Sequence, residues 1–133
     1  MPLPQPSVLL QQCLVVGAGG FLGAVARFLV GTWIVGRWGV PSYWATWAIN
    51  VTGSFVLGLV ATLIFLNVLT SPQWRLAVTI GFVGAYTTFS TFEYETARLG
   101  LSWAALANVL GSVAAGYAAV WLGIKLATAY AGA

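Results

Sequence analysis

The chain has 133 residues, of which 60% are hydrophobic and only 5% charged, with a net charge of +3. A soluble domain of this length carries about 25% charged residues, so this chain cannot cover a water-facing surface and reads as a membrane protein. Histidine is absent, there is one cysteine, and the only acids are Glu93 and Glu95. A His-based metal site, a disulfide framework and a Ser-His-Asp arrangement are therefore excluded, and the scattered basic residues offer no face for nucleic acid.

A spanning helix needs about 20 mostly apolar residues. Such spans are expected at about residues 8–35, 42–69, 73–98 and 102–127, making a single four-helix transmembrane domain of residues 1–133. Ser42 and Ser71 are placed to cap the second and third helices, with Pro72 at the first helical position of the third. Gly100 can supply the left-handed residue that ends the third. Trp33, Trp38, Trp44 and Trp103 group near one interface, Trp74 and Trp121 near the other.

On the first span Gly17, Gly20, Gly23 and Gly31 recur at helical spacing, and Gly19 and Gly23 fit a close-packing motif. Cys13 is expected to be a buried small hydrophobe. Arg27 lies deep in the span, where a guanidinium needs a partner or water. It is either a functional residue or one that holds carbonyls at a helix break or snorkels to the interface. The second span carries Thr46, Asn50 and Ser54 at every fourth position. Asn50 is a neutral amide near mid-span, either a donor to a passing ion or glue between helices.

The third span contains the most unusual stretch, Gly81-Phe82-Val83-Gly84-Ala85-Tyr86-Thr87-Thr88-Phe89-Ser90-Thr91-Phe92. It turns from apolar to hydroxyl-bearing and aromatic without one charge. The glycines make a helix break around Gly84–Thr87 plausible. A break at membrane depth frees carbonyls and is tolerated only inside protein or around water. Phe89 and Phe92 share one face with Thr88 beside it, while Thr87, Ser90, Thr91 and Tyr94 form a hydroxyl face. Glu93 and Glu95 stand at the interface end, Glu93 reading as a solvated cap near Arg98. The fourth span places Asn108, Ser112, Gly116, Ala119 and Gly123 on one stripe, polar at one end and small at the other.

Positive-inside counting sets Arg75 and Lys125 against Arg37 and Arg98, so neither orientation wins. One reading is that so few charges say little. The sharper one is dual topology, with the chain inserting both ways and pairing with an inverted copy.

Three segments resemble the Fluc-type (CrcB) fluoride channels: Gly20-Phe21-Leu22-Gly23-Ala24-Val25-Ala26-Arg27, Ala48-Ile49-Asn50-Val51-Thr52-Gly53-Ser54-Phe55 and the stretch from Gly81 to Phe92. Order and spacing agree over all four spans. The resemblance implies an all-α, dual-topology homodimer of inverted copies in the cell inner membrane, passively exporting fluoride through two pores and relieving its toxicity. It implies that Phe89, Phe92 and Asn50 line the pores, with Thr88, Ser90, Thr91 and Ser112 along the ion path. Gly84 and Thr87 would hold a central structural sodium ion through their backbone carbonyls. Arg27 and Glu95 would serve as vestibule or structural positions. Asn108 stands where some relatives have tyrosine, and would belong to the upper pore wall.

The chemistry is compatible. A fluoride pore must replace a tight hydration shell with donors, which hydroxyls and amides supply, and the positive edges of phenyl rings can touch an anion without holding it. Selectivity itself rests on the resemblance. Two other classes stay open. A small proton-coupled drug exporter would need a carboxylate embedded in the membrane, and the first span has none. In a non-transporting membrane subunit, the hydroxyl run would be helix-packing glue. An enzyme is least favoured, with no nucleophile–base pair or ligand set.

Overall fold

The computed structural model describes residues 5–132, and all regular structure among them is helical. In chain order it comprises α1 (Pro6–Trp38), α2 (Ser42–Phe65), α3 (Pro72–Trp74), a π-helical segment (Arg75–Phe82), α4 (Val83–Tyr86), α5 (Phe89–Arg98) and α6 (Trp103–Ala131). Three of these, α1, α2 and α6, are long and apolar enough to cross a membrane. The segment between α2 and α6 is a string of shorter helical pieces with a non-helical joint at Thr87–Thr88.

The ends differ from expectation for local reasons. Neither Ser42 nor Ser71 caps a helix through its side chain. Ser42 already lies inside α2, behind Pro41, and the Ser71 hydroxyl turns to the Gln73 side chain. The first helix runs past residue 35 to Gly39, whose left-handed φ of 61° lets its N–H reach the Val35 carbonyl at 2.9 Å. The second stops at Phe65 rather than 69. Asn67 takes φ 56°, a conformation that few residues besides glycine tolerate, and the Val68 N–H folds back to the Leu63 carbonyl at 2.9 Å. Gly100 takes φ 65° just beyond α5, as its position suggests. Cys13 is exposed on the chain rather than buried, because it lies on the outward face of α1.

Close backbone approach through glycine sets the packing. A Cβ on Gly19 would strike the Ala77 carbonyl, one on Gly23 would strike that of Phe82, and one on Gly81 would lie 2.6 Å from Val16 O. These contacts join α1 to the π-helical segment. On the other side, Gly58 meets Val120, and a Cβ on Gly123 would sit 2.5 Å from Phe55 O. Small residues let helices approach where lipid gives no hydrophobic drive between them. The contacts also fix direction. Gly19, Gly23 and Arg27 meet Ala77, Phe82 and Thr87 in rising order, so the third segment runs parallel to α1. Ser54 and Gly58 meet Gly116 and Val120 in the same way, so α2 and α6 are parallel. Val83 and Tyr86 are buried where these pairs meet.

Candidate functional site

The helix break forms the centre of the site, and its chemistry is local. The Thr87 hydroxyl donates to Val83 O at 2.8 Å, and the Thr87 N–H reaches the same carbonyl at 3.0 Å. That closes the last turn of α4. Thr87 and Thr88 are then extended, with ψ of 157° and 113°. Thr88 restarts the helix as N-cap: its hydroxyl accepts the Thr91 N–H at 3.3 Å and donates to the Thr91 hydroxyl at 2.9 Å. The break therefore falls at Thr87–Thr88, at the far end of the expected Gly84–Thr87 window. Gly84 itself stays helical, and the two β-branched residues, which suit extended backbone, take the joint.

Asn50 reaches across from α2 and clamps this joint. Its Nδ2 donates to Thr88 O at 3.0 Å, and its Oδ1 accepts the Thr88 N–H at 2.8 Å. The pair fixes which way the amide faces, since each end has only one compatible partner. It also takes the Thr88 N–H away from the Gly84 carbonyl, which loses the donor a continued helix would supply. Arg27 Nη1 donates to Thr87 O at 3.5 Å, a long contact on the α1 side of the joint. Two donors from neighbouring helices thus face the freed backbone.

Around the joint lies a groove of about 270 Å³ between α2, α5 and α6. Asn50, Thr87, Thr88, Phe89, Phe92 and Ser112 line it, together with Gly53, Ser54 and Gly116. No acid and no cation lines it. The Phe89 and Phe92 rings stand 5.9 Å apart, tilted by 37°. The Ser112 hydroxyl is buried without a hydrogen-bond partner, an arrangement that costs about 1–3 kcal/mol unless something accepts from it. The remaining Nδ2 hydrogen of Asn50 is a second donor. The groove thus offers neutral donors and aromatic edges on a fixed frame. It is also one-sided: Phe89 is 71% exposed.

The other expected positions are distributed around it. Arg27, Thr88, Thr91 and Glu95 line a second hollow beside α1, and Thr88 is shared between it and the groove. Glu95 Oε2 is buried there without a hydrogen-bond partner. Asn108 and Ser112 line a third hollow of about 370 Å³ walled by Tyr43, Trp44 and Trp47, which meets the groove at Ser112. Asn108 does not line the groove itself; its Nδ2 donates to the Thr96 hydroxyl at 2.8 Å. Ser90 is exposed and lines none of the three hollows, and Gly84 is exposed with nothing within 4 Å of where a Cβ would stand. Sequence reasoning missed Thr96 and the Tyr86–Thr52 hydroxyl contact at 2.9 Å. The regular fourfold spacing of hydroxyls and amides on α2 and α6 was the available signal for the groove, but nothing marked Thr96 as a partner for Asn108.

An all-helical chain with three apolar helices long enough to span a bilayer, folded around an uncharged donor groove at a helix break, defines a multi-pass membrane protein with an internal polar site. More particularly, the chain belongs to the CrcB-like protein, Camphor Resistance (CrcB) family, which it matches over residues 14–124. It is 50% identical over 117 residues to the fluoride-specific ion channel FluC of Solibacter usitatus (strain Ellin6076), covering 86% of this chain and 96% of that one. It is 51% identical over 112 residues to the protein of the same name from Acidobacterium capsulatum, covering 82% and 90%. The FluC protein of Hydrogenovibrio crunogenus is 42% identical over 116 residues, covering 85% and 88%.

Proposed function

We propose that this chain is a passive fluoride-selective channel, exporting fluoride from the cytoplasm across the cell inner membrane and relieving fluoride toxicity. The observation that carries the reading is that relatives matched over almost their whole length are named fluoride-specific ion channels. The groove supports it chemically. Asn50 and Ser112 supply neutral donors in place of water, and Phe89 and Phe92 supply positive ring edges. With no cation in the path, an anion is held weakly enough to leave.

The working unit is a homodimer of inverted copies, each with four spans, giving two pores. Two observations favour it. The third segment runs alongside α1 through Ala77, Phe82 and Thr87, so its broken pieces together complete a fourth crossing. Phe89, which lines the groove, is exposed on the single chain, so the groove needs a second wall. Between the copies a structural sodium ion would sit on the Gly84 and Thr87 carbonyls. The residues fit: Gly84 O has lost its helical donor, and carbonyl oxygen suits a hard cation. The Arg27 guanidinium near Thr87 O competes for that oxygen and leaves Gly84 the freer ligand. Sodium would add positive potential beside the path.

Protein reconstituted alone into liposomes tests the function: fluoride should leave while chloride stays. A folded protein that passes neither would be the non-transporting subunit. An exporter is disfavoured because no carboxylate lines the groove.

A further inference from the structure

The helix α5 carries both Phe89 and Phe92, yet none of its residues is buried. Within one copy, apolar burial therefore does little to fix its position, and polar ties do more. One tie is at its start, where Asn50 clamps Thr88. The other is near its end. The Thr96 hydroxyl donates its single hydrogen to Phe92 O at 2.7 Å and accepts from Asn108 Nδ2 at 2.8 Å. Since that hydrogen is already engaged, only a donor can approach Thr96, which settles how the Asn108 amide faces. Along α6, Asn108 and Ser112 are one turn apart but do different things: Asn108 is partnered to α5, while Ser112 is free and faces the groove.

We infer that Asn108 acts on fluoride passage as a positioning residue, holding α5 through Thr96 so that Phe92 stays in the groove wall, rather than as a contact for the ion. The inference rests on the channel reading above. Asn108 and Thr96 then form one device, and removing either partner loosens the same end of α5. On α6 the donor that lines the groove is Ser112, whereas Asn108 lies outside it.

The test is a double-substitution cycle in reconstituted protein at low density, where the fraction of liposomes that empty counts working channels and the rate of release reports each channel. Thr96→Val removes the hydroxyl but keeps the shape. It is expected to slow fluoride release per channel about fivefold, as the loss of one hydrogen bond implies, without lowering the fraction of liposomes emptied. Asn108→Ala should match it, and the double variant should be no slower than either alone. Thr96→Ser, which keeps the hydroxyl, should restore the wild-type rate. Slowing by Asn108→Ala with Thr96→Val at wild-type rate, or effects that multiply in the double variant, would overturn the inference and make Asn108 an ion contact. The same cycle read by thermal unfolding is independent of conduction. Coupled losses of stability at the two positions support the tie, and additive ones refute it. Failure of the wild type to release fluoride would count against the channel reading instead.

Discussion

An amide in a membrane interior must satisfy both its ends, and Asn50 does so on one backbone residue, Thr88, leaving a single N–H for the groove. This makes it a donor by construction. In Asn50→Asp, an oxygen would replace Nδ2 opposite the Thr88 carbonyl, and a negative charge would stand in the groove proposed as the ion path. Fluoride release should fall at least about 100-fold, and stability should drop by about 1–3 kcal/mol, from the broken hydrogen bond. Efflux and thermal unfolding measure the two effects, and wild-type rates in the variant would show that Asn50 is outside the path. Asn50 and Ser112 were legible in the sequence because uncharged polar residues are rare in such spans. Their division of labour from Asn108 was not, because it depends on Thr96, a residue that looks like any other threonine near a helix end.

The third segment shows what can and cannot be read at the scale of an element. A glycine–hydroxyl stretch without charge announced a break, and the break is there. The exact joint was set by pairing that no local pattern reveals: the Thr87 hydroxyl closing on Val83, the Thr88 hydroxyl capping α5, and an amide from another helix. The π-helical turns before it, which pack against Gly19 and Gly23 of α1, were also hidden, since no local pattern marks them. Helix ends departed from expectation at two kinds of place: Ser42 and Ser71 do not cap N-termini through their side chains, and α2 stops early, before a left-handed Asn67. Gly53 offers a test of how firmly the joint is held. A Cβ there would strike the Thr87 methyl and approach the Tyr86 ring at 3.2 Å. Alanine gains about 1 kcal/mol of helix propensity over glycine. The joint, tied by Thr87 to Val83 and by Thr88 to Asn50, cannot easily yield, so overpacking should dominate. Gly53→Ala is expected to destabilise by about 1–3 kcal/mol in denaturant or thermal unfolding. Gly17→Ala, with nothing within 4 Å, is the matched control and should lose nothing. Equal stability of the two variants would mean that the joint is soft.

For the whole molecule, the balance of charge and the one-sided groove point the same way. Arg37 and Arg98 end two parallel segments at one face, and Arg75 and Lys125 stand at the other, so topogenic charge is even. In the proposed inverted pair, the second copy would cover the open side of the groove. Tags on either terminus should accordingly be accessible from both sides of the membrane in one population of cells, and a single orientation would remove the inverted pairing. The measurement that bears most directly on the whole account is anion release from liposomes that contain only this purified protein. They are loaded with potassium fluoride or potassium chloride, valinomycin is added to carry the potassium, and each anion is followed with its own electrode. A fluoride-selective channel should release fluoride rapidly and retain chloride. Release of chloride at a comparable rate, or of neither anion from protein shown to be folded and dimeric, would contradict it.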